Sequence, residues 1–422
     1  MKKLITAVFI IFVQVNDGFS QVSSGTIIRY SDPEAPQYAG QTENTLILTD
    51  PDVGKSVMLF AEILNNIQNN YYKEVDIYRC AQTTFKQGVS SCTDRYSFYL
   101  NNQEQKKERL DLNGEIEGIG TIFKIENSKA TGNVIKDIIE GSPAERAGLA
   151  IGDTIIAIST DPVNAHWLYV KNLSLNFVEG VLQGNAGTSI LIKILRGEQE
   201  KDFLLTRAVV KIKLFETKDL GKFGYVKIKK FSGNDLAKDF LEAINGLKDS
   251  GKKVLILDIR DNHGGRLDQV IQIASFFSNN KDSATIIYDR NRAGLFTDHT
   301  ALGRSVGALK DLEVVVLQNR NSASASEILS GYLKEYCDAI VVGKNSFGKG
   351  IVQSIIPLEK YGGVLHLTVA EYFIGKNLIK IHGIGVTPTV EVDDVYEVGE
   401  DGENLKDQQL EKALEEAEKL VK

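Results

Sequence analysis

The chain has 422 residues, enough for two to four domains at roughly 100–200 residues each. Hydrophobic residues make up 42% and charged residues 25%, the balance of a folded globular protein, so neither general disorder nor a fibrous repeat fits. A formal charge of −7 excludes a whole-chain basic footprint for nucleic acid, and 3 Cys with 5 His exclude a disulfide-dense or zinc-rich scaffold.

Residues 1–20 begin with Lys2 and Lys3, continue through an almost wholly apolar stretch at 4–15, and end on the small residues Gly18 and Ser20. This is the layout of a secretory signal peptide, and the apolar run is too short for the roughly 20 residues of a membrane span. It predicts an exported protein, periplasmic or extracellular, with no transmembrane segment after signal removal. Export permits disulfides, and Cys80 and Cys92 are close enough in sequence to pair. Cys337 shares an apolar helical face with Ile328, Leu329, Leu333 and Tyr336 and reads as a buried, inert thiol.

Residues 21–53 are polar and read as a flexible start. In 54–74, Val57, Phe60, Ile63, Leu64 and Ile67 recur near the 3.6-residue helical period, so 54–105 reads as a small helical unit. Residues 106–207 are β-rich, with short apolar runs separated by Gly and Asp turns. Within them SPAERAGL predicts a short helix: Ser142 as N-cap, Pro143 at its first position, Glu145 two residues on, and Gly148 at its end. A second helix is predicted over 163–175. From about 210, apolar strands alternate with amphipathic helices (VLILDIR then RLDQVIQIASFFS, EVVVLQN then SASEILSGYLKEY), the signature of βα units. Ligand sites in such sheets gather at the carboxyl ends of the strands, here the loops 260–265, 318–324 and 343–350. Residues 350–392 return to strand-like runs, and 404–422 form a charged amphipathic helix.

Each of these loops has a bland and a chemical reading. Residues 319–327 (NRNSASASE) follow a strand and enter a helix, where free N–H groups suit a developing oxyanion. Alone, Ser324 and Glu327 equally fit a helix capping box, and three serines leave the nucleophile open. Residues 343–350 (GKNSFGKG) approach the phosphate-loop pattern, but Gly350 stands where a metal-binding hydroxyl is needed and IVQSIIPL continues as strand rather than helix. The alternative is a lysine held between glycines against a catalytic serine. Residues 258–265 (DIRDNHGG) end an apolar strand in paired glycines, which suit either a simple turn or an oxyanion donor. No Ser/His/Asp set follows from five isolated histidines, and His263 is read as non-catalytic. Residues 118–123 (GIGTIF) read either as a loop or as a backbone nest for a peptide carboxylate beside an open strand edge.

Together these loops resemble the C-terminal processing (tail-specific) peptidases, serine–lysine proteases of family S41 that carry a PDZ domain, over roughly 56–420. The segments that carry the resemblance are EGIGTIF at 117–123, SPAERAGL followed by IGDTIIAI, DIRDNHGG, SASASE at 322–327, FGKGIVQ at 347–353 and IHGIGVTPTVEV. The resemblance implies an α/β multidomain protein: a protease core of βα units, crotonase-like or ClpP-like, at 208–396; an inserted β-rich PDZ domain at 106–207; a helical N-terminal domain at 54–105; and a helical tail at 397–422. It implies Ser324 as nucleophile, Lys349 as base, Gln353 orienting the lysine, and an oxyanion hole from the backbone N–H groups of Ala325 and Gly264. It implies substrate capture by its C-terminal segment at Ile119, Gly120 and Thr121, with Arg196 as a candidate peptide sensor. No metal or other cofactor is implied, the partners are protein or peptide substrates, and the N- and C-terminal helices are candidates for a homodimer contact. A catalytically silent PDZ binding protein is the alternative.

Four departures from the family pattern stand out. Asn321 replaces the usual Gly before SASASE. His263 replaces a common Pro or Gly. CTDRYSF at 92–98 stands in place of L-D-P-H-S, and the late loop lacks its Pro-Ser-Gly. The chemistry itself is coherent: a lysine, ordinarily charged at neutral pH, becomes a base when burial disfavours its ammonium form.

Overall fold

The computed structural model describes residues 26–30, 44–48, 51–123, 133–171, 173–279, 283–358, 362–393, 396–398 and 405–421. The signal peptide read at 1–20 lies outside these residues. The chain divides into two units, Met1–Cys92 and Thr93–Lys422.

In the first unit, part of the stretch read as irregular forms an antiparallel pair, Thr26–Tyr30 with Asn44–Leu48. The helices Pro51–Asn70 and Ile77–Cys92 follow, with the Phe60 and Phe85 rings 5.2 Å apart. The second helix overturns the Cys80–Cys92 pairing. Both thiols lie on that one helix, and twelve residues at 1.5 Å rise separate them by about 18 Å, against a bridging limit near 7 Å. All three cysteines are free.

In the second unit, Glu115–Gly118 and Ala208–Lys211 pair antiparallel, Gly118 opposite Ala208. The chain therefore enters and leaves the β-rich module side by side, which makes that module an insertion. Its sheet runs, in space, Gln199–Thr206, Ser189–Arg196, Thr154–Ser159, Asn133–Ile138 and Thr121–Phe123, the last at the edge. Ile190, Ile192 and Ile194 alternate along one strand and are fully buried together with Ile135, Ile155 and Ile158. The short helix Pro143–Arg146 has the cap its sequence predicts: the Ser142 hydroxyl accepts from Glu145 N at 3.3 Å, and Gly148 (φ +81°) ends it. The helix predicted over 163–175 is instead Leu175–Leu182. Asp161 accepts from the amides of Val163 and Asn164 and turns the chain there, and Ser174 caps the helix through Phe177 N.

The remaining core has two sheets. One pairs Phe215–Leu220 antiparallel with Phe223–Ile228 and then runs parallel through Val254–Asp258, Glu313–Gln318, Ile340–Gly343 and Val390–Glu391. The strand period of two divides its side chains between two clusters. Leu255, Leu257, Val314 and Val316 pack with the helices Leu236–Asp249, Leu267–Phe276 and Ala325–Tyr336. Val254, Ile256, Val315 and Leu317 pack with Ala413 and Ala417 of the terminal helix Gln408–Leu420. The apolar face of that helix is thus used within its own chain, which leaves only its charged face for any dimer contact. The second sheet is antiparallel, in the order Phe296–Leu302, Ser283–Asn291, Val364–Ile374 and Ile351–Pro357.

Candidate active site

Ser324 stands at the head of the Ala325–Tyr336 helix, beyond the end of the Glu313–Gln318 strand. Its φ of 57° with ψ of −114° is a conformation that a non-glycine residue holds only when its surroundings impose it. The imposition comes largely from Glu327. Its fully buried carboxylate accepts from Ser324 N (2.8 Å), Ser346 Oγ (2.6 Å), Gly348 N (2.6 Å) and Lys349 N (2.8 Å). Glu327 N donates to the Ser324 carbonyl at 2.8 Å, and the reciprocal Ser324–Glu327 capping box that the sequence allows is present as well. The residue that sequence reasoning treated as a capping partner therefore holds the serine turn and the lysine loop on one anion. Tyr372, fully buried and absent from the sequence reading, places its hydroxyl between the carbonyl oxygens of Ser324 (3.2 Å) and Lys349 (2.9 Å). Burial keeps that phenol protonated, well above its ordinary pKa.

Lys349 Nζ donates to Gln353 Oε1 at 3.1 Å, and Gln353 Nε2 donates to the Tyr96 carbonyl at 2.6 Å. Burial pulls the lysine below its ordinary pKa, against the smaller upward pull of the Asp94 and Glu327 charges. Lys349 precedes the strand that begins at Ile351, and the register slips between Val352 and Gln353, so the hydrogen bond rather than simple strand alternation brings the two side chains together.

The loop that follows Val254–Asp258 packs directly on the serine turn. A Cβ on Gly264 (φ +100°) would stand 2.9 Å from both Ala325 N and Ser324 Cβ, so only glycine fits there. Ala323 N and Ser326 Oγ both donate to the Asn262 carbonyl, at 3.1 and 2.7 Å, and Ser322 Oγ donates to the Ile259 carbonyl at 2.9 Å. Gly264 N itself donates to Asn262 Oδ1 at 2.9 Å, while Ala325 N belongs to the first turn of its helix, where amides lack intrahelical acceptors. His263 is exposed, and its Nδ1 lies 3.1 Å from the Asn321 carbonyl. Cys337 is partly buried, and burial pushes its thiol up to about 12, as expected of an inert group.

Behind this loop, Arg260 is buried against Asp258, through Nε (3.0 Å) and Nη2 (2.7 Å), and against Asp407 through Nη1 (2.8 Å). Tyr225 donates to Asp258 at 2.8 Å, and Asp407 also caps the terminal helix at Leu410 N. Burial raises the Asp407 carboxyl, but Arg260 and the Leu410 amide outweigh it and hold the group below the usual range. Asp407→Ala should cost about 2 kcal/mol in a denaturant titration at neutral pH, through the lost cap and the partly stripped guanidinium. Because the folded value is depressed, that difference is fully present above about pH 4 and shrinks as the pH falls through the lowered value.

In the inserted module, the Ile119 and Gly120 carbonyls accept from Ala144 N (2.8 Å) and Ile139 N (2.9 Å). Gly120 (φ +86°) admits no side chain, since a Cβ would lie 2.2 Å from Ser142 Cβ. Thr121 begins the edge strand, on which Ile122 is exposed, as is Phe177 on the Leu175–Leu182 helix. Arg196 is committed elsewhere: it grips Asp153 through Nε and Nη2, both at 2.7 Å, and donates to the Gly148 carbonyl at 2.9 Å.

Comparison with known proteins identifies the two parts of the chain. The model for peptidase family S41 matches residues 222–392, and that for a PDZ domain matches residues 134–196. A probable CtpA-like serine protease of Staphylococcus aureus (strain COL) is 30% identical over 364 residues, covering 81% of this chain and 70% of that protein. The Staphylococcus epidermidis protein of the same description is 30% identical over 336 residues, covering 78% of this chain and 64% of its own. Among solved structures, a putative S41 protease from Bacteroides fragilis matches with a TM-score of 0.52 at 18% identity, covering 86% of this chain and 98% of that one, a likeness of fold. A serine at the head of a helix, a partly buried lysine tied to the same carboxylate, and a relative matched across both the core and the inserted module converge: the chain belongs to peptidase family S41 and is a CtpA-like serine protease with a PDZ domain.

Proposed function

We propose that this protease takes hold of the C-terminal segment of protein substrates in the module at 106–207 and hydrolyses them in the core at 208–396 by a Ser324–Lys349 mechanism. The observation that carries the reading is the partly buried Lys349 amine, bound to Gln353 Oε1, on a residue whose backbone amide sits on the same Glu327 carboxylate that holds Ser324. The neutral amine accepts the Ser324 hydroxyl proton as Oγ attacks the substrate carbonyl carbon. The C–N bond then breaks, the proton passes to the leaving amine, and water hydrolyses the resulting ester by the same route. Gln353 keeps the amine in one rotamer. The Ala325 amide faces the developing oxyanion, joined by that of Gly264 once the latter turns from Asn262. No step requires a metal or a nucleotide.

A peptide would add to the edge strand Thr121–Phe123, with its carboxylate at the amides of Ile119, Gly120 and Thr121. The crotonase-like or ClpP-like description of the core, the helical limits 54–105 and 397–422, and a homodimer through the N-terminal helices belong to the same proposal. Export rests on residues 1–20; among the described residues no helix is long and apolar enough to cross a membrane.

The test is cleavage of an unfolded protein and of peptides ending in apolar residues, with fragments read by mass spectrometry and affinities measured for free and amidated C-termini. Amidation should weaken binding about tenfold or more, the worth of charge-assisted hydrogen bonds to one carboxylate. Equal binding would remove the carboxylate anchor, and intact substrates would remove the proteolytic mechanism.

A further inference from the structure

The segment at 93–98 reaches the lysine from outside the core loops. Asp94 shapes it: its carboxylate accepts from Tyr96 N (2.7 Å), Ser97 N (2.9 Å) and Ser97 Oγ (3.3 Å). Ser97 Oγ in turn accepts from Thr368 N at 3.1 Å, fixing the segment to the strand Val364–Ile374. Tyr96 is thereby set with its carbonyl on Gln353 Nε2 (2.6 Å) and its ring face 5.3 Å from Lys349 Nζ. The Arg95 guanidinium stacks 4.8 Å from the same ring and 5.3 Å from that of Phe347, and the His382 ring meets Tyr96 edge-on at 6.3 Å.

We propose that Tyr96 is a positioning residue for the Lys349 amine. Its carbonyl locks the Gln353 amide with its oxygen toward the lysine, and its ring face favours the ammonium form, setting the pH at which the amine is released to act as base. An amide side chain can present either end. A backbone carbonyl at 2.6 Å accepts only from the NH₂, which leaves Oε1 for Lys349. An aromatic face attracts the ammonium and not the free amine, so it opposes desolvation. The charged and titratable groups facing this lysine or the ring beside it are Asp94 and Glu327, which also favour the ammonium; Arg95 and His382, which meet the ring; and Tyr372, whose hydroxyl meets the Lys349 carbonyl.

The inference rests on Ser324 and Lys349 acting together, and its test separates the two. The rate at which a fluorophosphonate probe labels Ser324 is followed against pH in the full chain, with the thermal midpoint of each variant as a check on folding. Lys349→Ala should lose the labelling; labelling at the parent rate would defeat the dyad itself. Given an acid limb in the parent, Tyr96→Leu should move it down by about half a pH unit, Tyr96→Phe should restore it, and Tyr96→Trp, with the strongest ring face, should move it up. If Tyr96→Leu fails to fold, the Phe and Trp pair carries the test alone. An acid limb indifferent to the ring, or one that rises in Tyr96→Leu, would overturn the role given to Tyr96 while leaving the dyad standing.

Discussion

Replacing Ser324 with alanine is expected to lower kcat/KM by about 10⁴-fold or more, Lys349→Ala by a comparable factor, and the double variant by no more than the worse single one. The non-additivity follows from the proposed Ser324–Lys349 mechanism. The serine is useful only while an amine can take its proton, and the amine has no other role in the reaction than to take and return it. Both variants should fold, because the backbone amides of Ser324 and Lys349 that meet the Glu327 carboxylate survive side-chain truncation. Single-turnover cleavage with the thermal midpoint as control measures this. Multiplying losses would mean that the two residues act in separate steps.

Glu327→Ala is expected to be the most damaging change to stability in the site. It strands four donors on two loops: the amides of Ser324, Gly348 and Lys349 and the hydroxyl of Ser346. Unsatisfied buried donors cost about 1–3 kcal/mol each, and with partial relaxation the total is about 4 kcal/mol, much of a typical domain's margin. Glu327→Gln keeps the shape and one acceptor oxygen, and should cost about half as much. Denaturant unfolding gives the ranking. A Glu327→Ala protein as stable as its parent would show that water replaces the carboxylate and that the clip is incidental. The folded fraction of either variant should also label poorly at Ser324, since the strained turn at φ 57° loses one of its restraints.

The βα alternation of the core was legible because strands buried on both faces read as unbroken apolar runs, as in VLILD and EVVVLQ, and runs this short and rich in Val, Ile and Leu favour strand over buried helix. The Ser142 cap was legible because capping chemistry is local in sequence. What escaped was non-local or weakly patterned. The Ile77–Cys92 helix fell inside the stretch read as a helical unit, but with few apolar positions to set its limits its two cysteines looked like neighbours able to pair. The helix at Leu175–Leu182 was placed too early because the turn at Asp161 was not weighed against the apolar residues beyond it. Ser324, Lys349 and Gln353 came from motif order. The roles of Glu327, Tyr372 and Tyr96 could not, since each depends on a contact across tens or hundreds of residues that no spacing announces.

The clasp between Arg260 and Asp407 has a consequence in time. Synthesis delivers the serine and the lysine well before it delivers residue 407, and a further stretch of nascent chain stays hidden in the ribosomal exit while they emerge. Until the terminal helix arrives, the guanidinium behind the glycine loop lacks one of its two carboxylates, and one face of the central sheet lies bare. A folding chain gains that second carboxylate and that cover only when the Gln408–Leu420 helix docks, so the support behind the glycine loop is among the later parts to form. A chain clipped before Asp407 would lose both the clasp and the helix that covers that face of the sheet.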